Sequence, residues 1–133
     1  MSAVLVDTDI VSMVFKGDSR VERYRRHLTG NILAVSFMTV AELHRWALSR
    51  NWGVLRRAEM KAHLQNYVVL LCEREMWLTW AEVMESARRN GRPIECADAW
   101  IAATALRYRV PPVTNNAGDF AGVDRLVVIG AEV

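Results

Sequence analysis

Two rhythms of apolar and polar positions alternate along this chain. Short, continuous apolar runs at 3–6, 32–35, 68–71, 112–114 and 126–129 read as strands. Between them, apolar residues recur at helical spacing over 8–16, 20–28, from Ser36 or Thr39 to 49, 55–65, 73–90 and 95–108. Gly17, Gly30 and the Gly91/Pro93 pair stand where helices should stop, and Asp18 or Ser19 where one should start. Strands that are apolar throughout, separated by helices, imply a parallel sheet covered on both faces, an α/β fold built as a three-layer α/β/α sandwich with four to five strands. Right-handed crossovers leave few topologies. In a doubly wound sheet the loops after the first and fourth strands flank the switch point, where ligands bind.

At 133 residues the chain is long enough for one domain with a real core, expected to span 1–133. The longest apolar stretches, 67–72 and 99–103, fall far short of the ~20 residues of a spanning helix. The first apolar run is too short for a signal segment, so a cytoplasmic protein is expected. Cys72 and Cys96 show neither pairing nor metal-knuckle spacing and read as reduced, half-buried thiols. The 73–90 helix carries Trp77, Trp80, Ala81, Met84 and Ala87 at helical spacing, a core face or a dimer seam.

A net charge of +2 names no partner, but its make-up adds something: of 17 basic residues only Lys16 and Lys61 are lysines. Arginine forks suit phosphates in two-point contacts. They cluster at Arg20, Arg23, Arg25 and Arg26, at Arg56 and Arg57, and at Arg88, Arg89 and Arg92, which a solvated helix face explains as well as nucleic acid does.

The candidate chemistry lies in the acids. Asp7 follows the first strand directly, at the mouth expected of an open sheet, with Asp9 two positions on. Alone, each reads as a helix cap. Glu42 lies on the third helical segment and would ordinarily be solvated. Asp98 sits in a helix apolar nearly all round, with Glu95 on the same face and no basic neighbour. Asp119 follows the turn-like Asn115-Asn116-Ala117-Gly118. Two carboxylates 4 Å apart repel by roughly 4 kcal/mol at an effective dielectric near 20. Convergence of Asp7, Glu42, Asp98 and Asp119 would therefore call for a divalent cation with hard oxygen ligands. His27, His44 and His63 lie on separate segments without ligand or triad spacing, and there is no glycine-rich phosphate loop.

Four stretches carry a family resemblance: Val4-Leu5-Val6-Asp7-Thr8, Thr39-Val40-Ala41-Glu42-Leu43, the run from Asp98 to Leu106, and Val113-Thr114-Asn115-Asn116 ending in Asp119-Phe120. In this order and spacing the chain resembles PIN-domain ribonucleases, in particular VapC-type toxins of bacterial toxin–antitoxin pairs. The resemblance implies a Mg²⁺- or Mn²⁺-dependent endoribonuclease acting on tRNA or ribosomal RNA, a VapB-type antitoxin partner and a homodimer. It also implies an acidic triad of Asp7, Glu42 and Asp98, Asp119 as a more variable fourth acid, and supporting hydroxyls at Thr8 and Thr114. The chain departs from the pattern at Asp9, where asparagine is more usual, and at Asn116, where some members carry the fourth acid. Glu95, Asn116 and Asp119 thus compete to complete the site.

Two alternatives stand beside this. Asp7-Thr8-Asp9-Ile10-Val11, with Gly118-Asp119 and Asp124, also resembles haloacid-dehalogenase-type phosphatases, with Asp7 as nucleophile and Asp9 as general acid. That reading leaves Glu42 and Asp98 without roles. The other is a PIN-like binding module without catalysis, against which an intact acidic set argues.

Overall fold

The structure, a computed structural model, describes residues 2–130. Strand β1 (Ala3–Val6) leads at Asp7 into helix α1 (Thr8–Lys16), which ends on Gly17 at φ 68°. That left-handed turn favours glycine, and its amide caps the carbonyls of Met13 and Val14. A 3-10 segment, Ser19–Tyr24, and one α turn, α2 (Arg25–Leu28), follow in place of the single helix expected over 20–28. The Asp18 side chain caps the Arg20 amide and pairs with its guanidinium, which holds the chain in the tighter coil.

Strand β2 (Ile32–Ser36) and helix α3 (Phe37–Ser49) come next, with Ser36 as the cap. Helix α4 (Val54–His63) ends in a short 3-10 turn before strand β3 (Val68–Leu70). Helices α5 (Met76–Arg89) and α6 (Cys96–Tyr108) precede strand β4 (Pro112–Val113) and a 3-10 segment, Ala117–Phe120.

The four strands pair in parallel in the order β3-β2-β1-β4. The chain runs outward from β1 through β2 to β3, then returns to β1's other side for β4. The switch point therefore falls between β1 and β4, as expected of a doubly wound sheet. Alternate strand residues feed opposite layers: Leu5 and Ala34 pack with Met76, Val83, Ile101 and Phe120, whereas Val4, Val6 and Val35 pack with Ile10, Tyr24, Leu43 and Met60. The helices lie on both faces of the sheet, as the continuous apolar strands require.

Four expectations change. The fifth strand, 126–129, shrinks to a single parallel bridge, Val113 to Ile129, because β4 is itself only two residues long and offers no ladder to extend. Strand β3 is not buried on both sides: it is the sheet edge, and Val68 is 52% exposed. Of the stripe expected on α5, Ala87 is in the core and Trp80 and Met84 pack half-buried against it, whereas Trp77 and Ala81 are exposed; Met76, Val83 and Ser86 complete the buried face. Trp77 lies 53% exposed, and Trp80 stacks on Trp100 of α6 with ring centroids 5.3 Å apart. Both cysteines are free and exposed rather than half-buried.

Candidate active site

The carboxyl ends of β1 and β4 carry Asp7 and Thr114 to adjacent positions. Asp7 caps α1: its Oδ1 accepts the Thr8 amide at 2.8 Å, while its Oδ2 accepts the Thr114 hydroxyl at 2.7 Å. Thr8 turns its own hydroxyl to Glu42 Oε1 on α3, at 2.7 Å, and lies 2.9 Å from the hydroxyl of Thr39 one turn earlier on that helix. Thus Asp7 and Glu42 are both tied to Thr8, one through its amide and the other through its hydroxyl. The helices α1, α3 and α6 all start at this end of the sheet, and their amino-terminal dipoles favour negative charge there.

Asp98 lies in the first turn of α6 and is half-buried, although its helix is apolar nearly all round. Burial raises its carboxyl from 3.8 to about 6, aided by the charges of Asp119, Glu42, Glu95 and Asp9. Asp7 is buried, and desolvation pushes it from 3.8 to about 7, with Asp9 and then Asp98 adding to the rise. These mutual repulsions mark Asp7, Asp9, Glu42, Asp98 and Asp119 as one electrostatic cluster. Among the described residues none of the five takes part in an ion pair, although arginines pair with Asp18, Glu22, Glu73, Glu82 and Glu85 elsewhere. Buried carboxylates left without a cation are costly.

Asp119 lies on the exposed 3-10 segment after β4, its amide bonded to the carbonyl of Asn116. Glu95 is the exposed cap of α6 and makes no side-chain capping bond. Asn116 points elsewhere: its side-chain amide donates to Asp9 Oδ2 at 2.8 Å. Asp9 is the residue whose part the sequence understated. Its Oδ1 accepts the Ile10 amide at 2.7 Å, and its Oδ2 also takes the Asn115 amide at 3.0 Å. Asn115 in turn accepts the buried Tyr24 hydroxyl at 2.6 Å. The signal was present in an acid two residues past β1 and an Asn-Asn pair past β4, which a switch point brings together. Thr39 and Tyr24 carried no such signal.

Among the described residues, no three histidine, cysteine, aspartate or glutamate side chains stand close enough together to hold a metal ion by themselves. The donor set nevertheless suits a hard cation such as Mg²⁺, which takes one or two carboxylates directly and keeps several waters. All the candidate ligands are oxygens; burial first, and neighbouring carboxylates after it, raise the proton affinity of Asp7 and Asp98, a cost that a bound cation would relieve. Asp124 stands apart from this cluster, since its Oδ1 accepts the Asn90 side chain at 2.9 Å. The phosphatase alternative needs Asp124 at the site and loses that support.

The sequence profile of the PIN domain matches residues 4–126. Ribonuclease VapC1 of Haemophilus influenzae is 29% identical over 126 residues, covering 92% of each chain. Among solved structures, VapBC2 of Rickettsia felis, bound to a fragment of promoter DNA, superposes with a TM-score of 0.84 at 18% identity, covering 98% of this chain and 99% of that one. VapBC-1 of nontypeable H. influenzae gives 0.74 at 24% identity, with 98% and 97% covered. VapBC-5 of Mycobacterium tuberculosis gives 0.68 at 26% identity, with 100% of both chains covered.

Proposed function

The chain belongs to the PIN-domain family, and on that basis we propose that it is an endoribonuclease toxin of a VapBC-type pair, dependent on Mg²⁺ or Mn²⁺ and held in check by a cognate VapB-type antitoxin. Residues 1–133 form a single PIN domain in this reading. The observation that carries it is the unpaired carboxylate cluster at the switch point, with Asp7 and Asp98 raised to about 7 and about 6.

Asp7, Glu42 and Asp98 are the acids we assign to cation binding, with Asp119 as the more exposed fourth. Once bound, the cation supplies Lewis acidity at the scissile phosphate and acidifies an attacking water. The chain's own part is to place oxygens and to keep them charged. The Thr114 hydroxyl and Thr8 amide hold both Asp7 oxygens in fixed directions and favour its ionised form against the desolvation that opposes it. The Thr8 hydroxyl fixes the direction of one Glu42 oxygen. Asp9 fastens the 114–116 loop to the first turn of α1, so the Asp7 partner on β4 cannot drift. Arg20, whose charge interacts with Asp9, and Arg23 flank Tyr24 at the rim and suit the RNA backbone.

The RNA class proposed is tRNA or ribosomal RNA, the compartment cytoplasmic, and the assembly a homodimer. Exposed Trp77 and Leu78 on α5 supply an apolar seam of the kind a partner copy covers. Cleavage mapping on total RNA, with and without a chelator, tests the reading: discrete cuts that vanish with EDTA support it, and cuts that persist in EDTA refute the metal dependence.

A further inference from the structure

At the opposite end of the molecule a cavity of about 660 Å³ opens between the end of α6, the start of β4, α5 and the segment before the Ile129 bridge. Arg107 lies nine residues after Asp98 on α6, about 14 Å along the helix axis, so this cavity is separate from the carboxylate cluster. Its polar wall is Arg107, Arg109 and Arg125 with Thr79, and Glu82 is its only acid; Leu106, Pro111 and Leu126 give it an apolar floor.

Two of these arginines stand on backbone that disfavours them. Arg109 has φ 58° and Arg125 φ 66°, left-handed conformations that glycine adopts freely and other residues rarely. At Arg125, where no helix ends, strain kept at a side-chain-bearing position points to a use for the side chain. The end of α6 accounts for the other two arginines, since its dipole favours Arg107 and Arg109 is its left-handed C-cap, whereas Arg125 lies on another segment. Arg107 is fixed by its Nε bond to Glu73 at 2.8 Å and an Nη2 bond to the Arg74 carbonyl, with Nη1 left. Arg125 faces Glu82 at 3.9 Å, with both side chains largely exposed, a pair too loose to neutralise it. Arg109 makes no ion pair among the described residues.

We propose that this cavity is a nucleotide site, in which the arginine forks grip a phosphate and the apolar floor receives the nucleoside. Its volume is of the size that takes one small ligand, and the guanidinium groups that line it from two segments suit phosphate oxygens. The nucleotide is either free or one unit of an RNA strand. The inference does not depend on the cleavage chemistry above.

Isothermal titration of the purified full chain with 5′-AMP, inorganic phosphate, an acidic peptide and a short single-stranded RNA tests it. The account predicts saturable binding of AMP or RNA that Arg109→Gly and Arg125→Gly each weaken at least about tenfold. Both changes relieve backbone strain, so the melting temperature should hold or rise while binding is lost. Asp98→Asn should leave AMP binding unaltered. AMP binding identifies a free nucleotide as sufficient, and RNA binding without AMP binding identifies the strand as the source. Inorganic phosphate binding as tightly as AMP, acidic peptide binding as well as AMP and RNA, binding indifferent to both glycine variants, or no binding by any probe would each overturn the proposal.

Discussion

Thr114 donates its hydroxyl to Asp7 across 107 positions of sequence, at 2.7 Å, and both side chains are buried. The same oxygen accepts the Asn116 amide at 3.0 Å. Thr114→Val keeps the shape and removes both bonds. We expect a loss of about 1–3 kcal/mol, the range for a buried polar group left unsatisfied, measured by denaturant unfolding. Asp7 should also lose a bond that favours its charge, so RNA cleavage should fall near neutral pH and recover partly as pH rises. Unchanged activity across pH would mean that the bond serves the fold alone.

Asp7→Asn and Asp98→Asn each keep side-chain volume and remove a charge. RNA cleavage should drop by at least about 10²-fold, as when an active site loses one electrostatic group, while far-UV circular dichroism stays native. Full activity in either folded variant would remove that residue from the site.

The raised proton affinities fix how stability changes with pH. Asp7 and Asp98 hold protons more tightly folded than unfolded, at about 7 and about 6 against 3.8. The unfolded chain then binds fewer protons between those values, so stability falls as pH rises. The penalty is absent below about pH 4, grows through the interval, and is complete above about pH 7. In metal-free buffer the melting temperature should therefore be higher at pH 6 than at pH 8, provided remote groups are equal, and Asp7→Asn should flatten the difference. Mn²⁺, which needs the ionised carboxylates, should raise the melting temperature most at pH 8. A Mn²⁺ effect that grows on acidification would contradict the assignment.

Trp77 and Leu78 form the exposed part of α5 beside the Trp80–Trp100 stack. If this face is the seam between copies, Trp77→Arg should shift the chain toward monomer in light scattering after size exclusion while leaving the fold intact. A chain that is a monomer before the change would overturn the homodimer, and a dimer that survives it would place the seam elsewhere.

Much of this was legible in the sequence because continuous apolar strands and helical spacing are local signals. The parallel sheet, the switch point and the approach of Asp7 to the β4 loop all follow from them. What failed depended on neighbours in space. Residues 126–129 have a strand's composition but meet a two-residue partner, leaving one bridge. On α5 helical spacing grouped five residues on one face, yet only Ala87 is fully buried there: Trp80 and Met84 pack at the edge of the core and Trp77 is exposed, while Val83 fills the interior. Asp9 read as a cap and proved to be the clasp for Asn115 and Asn116, a role written more than a hundred residues away.

The central claim is a shared cation between acids from β1, α3 and α6. Crystals of the chain grown with Mn²⁺, measured by anomalous scattering, test it most directly. We predict a peak bounded by the carboxylates of Asp7, Glu42 and Asp98, lost in Asp98→Asn crystals; a fully occupied Mn²⁺ peak elsewhere, with these three carboxylates bare, would contradict it.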